Sequence, residues 1–395
     1  MACGSDEDGE KASTQDPASD KLPAALSDQA LGDYAQVVNR NYGEVLAGAR
    51  ALQDAINAFV AAPSETQLEA AKRAWIAARV PYGPSEAFRF YDGPIDNEET
   101  GPEGLINAWP LDENYIDYTR EQATAGIIND PTKPVEAAAI EAANENGGAE
   151  GGEKAISTGY HAIEFLLWGQ DDAKPGLGAG KRPYTDYVVG PTGTHANQDR
   201  RGQYLKTVAQ LLVGHLQSVA DAWKPGAGYA AEFAKDRATS IGNILTSLGS
   251  MAKAELSGER MTVAYRNRSE EDEHSCFSDN TAADLLGNGV GIQNVWHGRY
   301  GAFQGTGIDK VVAAVDPALA TTTTADVAAS VTKLRALVAL QNANKPIDVL
   351  IQAPDPERLP MLEAIQALKK VATDVEHAAT ALGLSVQFED PSEEL

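Results

Sequence analysis

Apolar residues recur at alternating steps of three and four along the first part of the chain. They form one face of a predicted helix of roughly eight turns that begins near residue 31; the positions are Tyr34, Val38, Tyr42, Val45, Ala49, Leu52, Ile56 and Phe59. Pro63 ends this helix, and Ser64 followed by Gln67 is a capping-box pattern for a second helix that reaches Arg79. The pattern predicts two antiparallel helices joined by a short turn.

Further helical patterns continue towards the end of the chain. They cover residues 135–145, 155–168, 203–223, 229–256, 281–300, 325–342 and 357–382. Proline and glycine interrupt 81–110 and 169–199, and 267–279 is also irregular, so we expect loops and short turns there. No block of the sequence is rich in strand patterns. We predict an all-α fold of two helical bundles, over 24–200 and 201–395, after a disordered tether at 1–23.

The charge of the chain excludes one class of partner. The 395 residues include 32 Lys and Arg against 57 Asp and Glu, which gives a formal net charge of -25. Such a chain repels phosphate backbones, so nucleic acid is ruled out as the main partner. No run of residues approaches the ~20 apolar residues of a membrane-spanning helix.

The two cysteines differ in their surroundings. Cys3, in the sequence Met-Ala-Cys-Gly-Ser, looks like the residue that follows a cleaved bacterial lipoprotein signal, and its lipidation would anchor the chain to a membrane. A chance cysteine in a frayed terminus is the alternative. Cys276 has no evident partner and is predicted to be a small buried thiol.

Two irregular stretches align when each residue is compared with the one 187 positions later. The identical pairs are Arg79 and Arg266, Glu86 and Glu273, Phe90 and Phe277, and Asp92 and Asp279. We interpret them as two bundles related by a pseudo-twofold axis, with an arginine and carboxylates from each converging at the junction. In the alternative interpretation, each arginine pairs with the glutamate of its own copy to hold a loop.

The strongest chemical candidate is a histidine and a glutamate three residues apart. His161 and Glu164 share one face of a predicted helix, where an imidazole and a carboxylate can bind one metal ion. A core histidine oriented by a nearby carboxylate is the alternative. His274, beside Glu273, is the second candidate. No His-Glu-x-x-His motif, nucleophile turn or phosphate loop is present, and carboxylates with one or two imidazoles suit Fe, Mn, Ca or Zn.

The sequence around this pair resembles a known family. The run Gly-Tyr-His-Ala-Ile-Glu at 159–164, continued to 171 and followed by Arg-Pro-Tyr-Thr-Asp-Tyr at 182–187, strongly resembles the imelysin-like family of bacterial envelope proteins, whose signature is Gly-x-His-x-x-Glu. Further agreeing blocks lie at 75–79 with 84–96, at 273–281 and at 294–301. Many relatives carry a histidine where this chain has Ala282, which removes one possible ligand.

The resemblance implies two pseudo-symmetric helical bundles with His161 and Glu164 in a groove between them, and Glu86 on the facing side. It also implies a periplasmic or lipid-anchored location, with Cys3 as the lipid site. Family members are associated with iron regulation and uptake, and some are classed as metallopeptidases. Because Gly4, and not aspartate, follows Cys3, we expect the outer membrane.

Three functions remain open from the sequence. The first is a binding protein that captures iron, or a metal-bearing ligand, through His161, Glu164 and Glu86 for an envelope iron-transport system. Groove residues in a supporting role would be Arg79, Asp92, Glu273 and Asp279. The second is a zinc metallopeptidase in which Glu164 or Glu86 activates water. The third is a groove that binds a peptide or partner protein without metal.

Overall fold

The computed structural model describes residues 21–147, 152–171 and 178–388, and these ranges are predominantly helical. The predicted all-α fold is confirmed. Cys3 and the rest of the tether up to residue 20 lie outside the described residues. The α-helices are α1 (Ala24–Ala61), α2 (Glu65–Ser85), α3 (Glu103–Ile106), α4 (Glu113–Ile116), α5 (Gly126–Asn129), α6 (Ala137–Ala143), α7 (Gly159–Trp168), α8 (Gln198–Ala222), α9 (Gly228–Phe233), α10 (Arg237–Ser250), α11 (Val263–Asn267), α12 (Thr281–His297), α13 (Ile308–Ala313), α14 (Pro317–Asn342), α15 (Ile347–Gln352) and α16 (Asp355–Ala381).

Shorter and less common elements connect these helices. A π-helix, π1 (Met251–Thr262), joins α10 to α11, and α12 is followed by an antiparallel hairpin of β1 (Arg299–Tyr300) and β2 (Phe303–Gln304). Single 3-10 turns lie at Glu86–Phe88, Gly152–Lys154, Tyr184–Tyr187 and Glu270–Asp272. None of the helices in the described ranges is long and apolar enough to cross a membrane.

Helices α1 and α2 form the pair that the sequence predicts. Every apolar position of the predicted face of α1 is buried, and burying one such large side chain contributes ~1.5–3 kcal/mol. The side chain of Ser64 accepts a hydrogen bond from the backbone N–H of Gln67 at 3.3 Å, which confirms the predicted cap. Besides α2, helix α1 packs against α8, α10 and α13, so it lies at the centre of the molecule.

Helix α2 continues beyond its predicted end. We expected a loop from residue 81, but the helix includes Pro81 and Pro84 and ends at Ser85. Tertiary contacts explain the difference, because residues 82–85 are all buried and side chains from other helices bind the carbonyls of this last turn. Asn41 donates to the carbonyl of Pro81 at 2.7 Å, and Asn288 donates to that of Gly83 at 3.0 Å.

The end of α2 packs unusually closely against α12. A Cβ atom added to Gly83 would lie 2.9 Å from the Cα of Gly287, and one added to Gly291 would lie 2.4 Å from the carbonyl oxygen of Pro84. Both separations are too short for a real carbon atom. Glycine at these positions therefore allows the two backbones to approach, and this approach aligns the polar side chains that the two helices carry.

The helix predicted over 229–256 is divided differently in the structure. It stops after Phe233 and begins again at Arg237, where the side chain of Asp236 accepts a hydrogen bond from Thr239 N. From there it runs without a break through π1 to Asn267. In a π-helix the hydrogen bond links residues five apart, and π segments are frequent at functional sites. The spacing of five brings Arg260 above Glu255, with Nε to Oε1 at 2.9 Å.

The predicted boundary between bundles falls at residue 200, inside α8. That helix packs against α1, α7, α3 and α6. The division into two bundles and the pseudo-twofold axis remain predictions.

The helix predicted over 281–300 ends earlier, at His297, because Gly298 adopts a positive φ of 62° and the chain turns into the hairpin.

The close approach of α2 and α12 can be tested by adding one methyl group. Gly291→Ala should lower the free energy of unfolding by ~1–3 kcal/mol, because the new Cβ would overlap the carbonyl of Pro84. Gly242→Ala in α10 is the control, since nothing lies within 4 Å of a Cβ there and alanine favours a helix by ~1 kcal/mol. Urea denaturation of both variants provides the measurement. Equal stability of the two variants would contradict the packing described here.

Candidate functional site

The glycine of the Gly-x-His-x-x-Glu motif starts helix α7. Gly159 has a φ of 81°, and a Cβ added there would lie 2.5 Å from the carbonyl oxygen of Ile106, so only glycine fits without strain. The indole Nε1 of Trp75 donates to the carbonyl of Tyr160 at 2.9 Å and fixes α7 against α2. Every residue of α7 is buried, including His161 at 1% exposure and Glu164 at 0%.

Both carboxylate oxygens of Glu164 are engaged. Oε2 lies 2.8 Å from Nδ1 of His161, and Oε1 accepts hydrogen bonds from the backbone N–H and the hydroxyl of Ser278 at 3.0 and 2.6 Å. The spacing of three residues thus produces the pair that the sequence predicts. It leaves Nε2 of His161 as a buried nitrogen without a hydrogen-bond partner. Glu164 is therefore placed to orient the imidazole.

A second imidazole faces the first. The ring centroids of His161 and His274 are 4.6 Å apart, with the rings close to perpendicular. Nδ1 of His274 is also buried without a hydrogen-bond partner, with Oδ2 of Asp284 3.8 Å away, and its Nε2 lies 3.5 Å from the amide nitrogen of Asn107. The structure thus brings the two histidines singled out from the sequence together, although 113 residues separate them in the chain.

Arg79 was predicted to orient a carboxylate in the groove, and that role stays a prediction. It lies beside the histidines and pairs with Asp284 through Nε at 3.2 Å and Nη2 at 3.1 Å, and its Nη1 donates to Asn107. The alternative in which Arg79 holds Glu86 is wrong. Asp284 was missed: a carboxylate in the first turn of a predicted helix was visible in the sequence, but nothing indicated a partner 205 residues away.

Glu86 is locked by two arginines that the sequence analysis also missed. Its Oε2 accepts hydrogen bonds from Arg89 at 2.8 Å and from Arg260 at 2.6 Å, whereas Oε1 is buried without a hydrogen-bond partner. Arg260 comes from π1 and lies beyond residue 256, where the predicted helix ended. A second donor group of Arg260 contacts Asn288 of α12 at 2.7 Å.

A pocket of about 260 Å³ leads to this cluster, and His274 forms part of its wall. Its charged lining residues are of both signs, with arginines next to glutamates. The lining comprises Arg89, Glu103, Asn107, Ala108, Trp109, Pro110, Glu145, Glu255, Glu259, Arg260 and His274. A small ligand in this pocket would therefore lie beside His274.

Burial decides the protonation of the cluster. It lowers the pKa of His161 and of His274 well below the usual range, and positive neighbours add to this effect, so both imidazoles are neutral at pH 7. Burial raises the pKa of Glu164 to about 8, even though the bonds from Ser278 favour the ionised form. Burial also acts on Glu86, but Arg89 and Arg260 outweigh it and bring the pKa of that carboxyl to about 2.

The other predicted groove carboxylates occupy different surroundings. Glu273 is buried, its Oε1 has no hydrogen-bond partner, and burial together with Asp348 raises its pKa. Burial and the same Asp348 raise the pKa of Asp279 to about 6. Asp92 is exposed, and its Oδ1 accepts hydrogen bonds from Asn97 and from the backbone of Glu98. The structure thus gives Asp92 a role in its own loop.

No preassembled set of three ligands is present in the described ranges. Across 21–147, 152–171 and 178–388, no group of three or more His, Cys, Asp or Glu side chains is arranged to hold a metal ion. Two facing imidazoles with unpartnered nitrogens are therefore the donor arrangement that the fold provides. Cys276 is buried, as expected from the sequence, and burial raises the pKa of its thiol.

Fold and site together define an all-α protein with a buried Gly-x-His-x-x-Glu helix facing a second histidine. The chain belongs to the imelysin family, whose model, Imelysin (peptidase M75), matches residues 38–375. The sequence-based recognition of this family is confirmed.

Named relatives agree with this assignment. The chain is 26% identical over 297 residues to iron-regulated protein A of Synechococcus elongatus, a match that covers 70% of this chain and 66% of that protein. It thus spans about two thirds of the length of this curated relative.

Two crystal structures share the fold. One, of a protein described as an iron-regulated protein A precursor from Parabacteroides distasonis, has a TM-score of 0.68 at 20% identity, with 91% of this chain and 95% of that chain covered. The other, of an imelysin-like protein from Psychrobacter arcticum, has a TM-score of 0.57 at 15% identity, with 93% and 98% covered.

The raised pKa of Asp279 predicts that the free energy of unfolding of the protein depends on pH. A carboxyl whose pKa is raised in the folded state contributes stability that is present below its unfolded pKa and is lost as pH rises through about 6. Asp279→Asn should therefore stabilise the protein at pH 8, on the order of 1 kcal/mol after allowing for solvent screening, and have little effect at pH 4. Asparagine also tolerates the positive φ of 57° at this position.

Urea midpoints at the two pH values measure this effect. Glu376→Gln, at an exposed position of α16, serves as the control and should show no such difference. A stabilisation by Asp279→Asn that is equal at pH 4 and pH 8 would show that the carboxyl titrates normally.

Proposed function

We propose that this protein binds a transition-metal ion, with iron as the first candidate, between His161 and His274. The observation that carries the proposal is the pair of facing imidazoles, each with a buried nitrogen that has no hydrogen-bond partner. A buried polar atom without a partner is costly, so such atoms mark a place for water or an ion. Neutral imidazole is a ligand for iron, zinc and copper, and both rings are held in the neutral form.

The role of Glu164 in this proposal differs from that of a direct ligand. A histidine that binds a metal usually donates its other N–H to a carboxylate, which fixes the tautomer and the orientation of the ring. Glu164 contacts Nδ1 of His161 and is itself held by Ser278. His161 would therefore bind through Nε2, with Glu164 as the orienting group. Because the pKa of Glu164 is about 8, this carboxyl would release its proton when the ion binds and would then accept the proton of Nδ1.

Glu86, which the sequence predicts as a ligand, would join the two histidines only after a side-chain rearrangement, because no three such groups in the described ranges are arranged around one ion. Its Oε1 has no hydrogen-bond partner, and its charge acts on His274. Arg89 and Arg260 already neutralise the charge of this carboxylate. Glu86 would therefore supply a ligand oxygen but little net negative charge to the ion. The pocket beside His274 leaves room for a further ligand that arrives with the ion.

The biological setting that we propose is iron handling at the cell envelope. It rests on the names of the relatives, one an iron-regulated protein A and another described as a precursor of such a protein. Cys3 as a lipid anchor, the outer membrane and an iron-transport partner remain part of this proposal. Peptide hydrolysis has less support, because both oxygens of Glu164 are engaged and Glu86 is ion-paired, so neither is placed as a general base.

Metal titration of single variants tests the site. Purified chelator-free protein should bind about one Fe(II) or Zn(II) per chain in anaerobic calorimetry. His161→Ala and His274→Ala should each weaken binding by about tenfold or more, because each removes one of two imidazole ligands. His377→Ala, an exposed histidine on α16, should leave the affinity unchanged.

Two results would contradict the proposal. His161→Ala with full affinity for every metal would show that the ion binds elsewhere. Cleavage of an unstructured protein such as casein by zinc-loaded wild type, but not by metal-free wild type or by His161→Ala with zinc, would establish a peptidase in place of a binding protein.

A further inference from the structure

A second cavity lies along helices α2 and α12. It has a volume of about 570 Å³, within the range of small-molecule sites. We call it the α2–α12 groove, and its apolar lining includes Ile76, Val80, Ala283, Leu286, Val290 and Val338. The apolar part of a ligand therefore fits here better than a strongly hydrated group does.

The groove is elongated. On α12 its lining residues extend from Ala283 to Asn294, along one helical face that covers ~16 Å of the helix axis. Val338 of α14 lies near the start of α12, because Gln341 of the same helix donates to the carbonyl of Asp279 at 2.6 Å. A chain-like ligand matches this shape better than a compact one.

Two of the apolar lining residues are exposed to a large extent. Val80 is 71% exposed and Ile76 is 39% exposed, and both belong to α2. Leu286, Val290 and Val338 of the same groove are half-buried. Contiguous apolar surface that faces solvent marks a binding site more often than a single exposed side chain does. A ligand that covers these side chains would gain free energy from the hydrophobic effect.

One unbalanced charge lies near the end of α12. Tyr300, which follows this helix, donates from its hydroxyl to Oε2 of Glu44 at 2.7 Å, and Asn41 donates to the same hydroxyl at 3.1 Å. In the described part of the chain, no lysine, arginine or histidine forms an ion pair with Glu44. The other charged lining residues, Arg79 and Asp284, pair with each other. The groove therefore carries one net negative charge, at the end where Tyr300 holds Glu44.

The ends of the chain do not match this charge. Residues 1–20 contain six acidic residues and one lysine, and residues 389–395 contain four acidic residues and no basic one. Glu44 would repel both segments. A second copy of the chain is also disfavoured, because each copy has a formal net charge of -25. The occupant that matches the groove is therefore a separate molecule with an apolar chain and a positive group.

We propose that the α2–α12 groove binds an elongated organic cation, with its alkyl chain along α12 and an ammonium group at Glu44. The ammonium group would donate a hydrogen bond to the carboxylate, and the chain would cover Ile76 and Val80. This site is separate from the histidine pair and does not require a metal ion there.

A series of matched amphiphiles tests the proposal. Octylamine is the probe, with octanol as the neutral match and octanoate as the anionic match. Calorimetry of the full chain should show one octylamine per chain, bound about fivefold more tightly than octanol, with octanoate the weakest of the three. Hexylamine should bind about tenfold more weakly than octylamine, because two fewer methylene groups are buried.

Two substitutions at exposed positions locate the ligand. Glu44→Gln should weaken octylamine binding by about fivefold and leave octanol unchanged, because glutamine removes the charge but still accepts from Tyr300. Its control, Glu376→Gln on α16, removes an exposed carboxylate elsewhere and should change neither ligand. Val80→Asn should weaken both ligands by about tenfold, whereas Val189→Asn, at a valine that is 70% exposed, should weaken neither.

Four results would overturn the proposal. No heat of octylamine binding at millimolar concentration would show that the groove takes no such cation. Equal affinity for octylamine and octanol would show that Glu44 does not select a positive group. Unchanged affinity in Val80→Asn would place the ligand elsewhere. Dissociation of a wild-type dimer by Val80→Asn, measured by analytical ultracentrifugation, would make the groove an interface between two copies of the chain.

Discussion

The buried ion pair between Arg79 and Asp284 is the contact on which the arrangement of the histidines depends. Each side chain is only 2% exposed, and the pair joins α2 to α12. Asp284 also accepts a hydrogen bond from Ser275, the neighbour of His274, while Arg79 donates to Asn107, whose amide lies beside the ring of His274. The position of His274 relative to His161 thus follows from this pair. Removing one partner of a buried pair costs about 3–5 kcal/mol, so the same contact stabilises the fold and places the site.

The glycines of α2 and α12 make that pair possible. Where Gly83 faces Gly287, no side chain separates the backbones, and polar groups can reach across the interface. Asn288 of α12 donates to the carbonyl of Gly83 and accepts from Arg260 of π1, which in turn binds Glu86. Buried polar groups stabilise a protein only when they are paired. The interface is therefore specific, because a shift of either helix would leave several charged groups without partners.

Local patterns in the sequence predicted the helices and the His161–Glu164 pair, since both depend on residues three or four positions apart. The class of fold and the cap at Ser64 also followed from the sequence, whereas a functional role for His274 stays a prediction. The partners of Arg79 and Glu86 did not follow from the sequence, because Asp284 and Arg260 are close to them only after folding. The loop predicted from residue 81 was wrong for a related reason, because tertiary contacts outweighed the local helix-breaking signal of Pro81 and Pro84. The helical pattern was followed only to residue 256, so Arg260 in π1 lay outside the predicted helix.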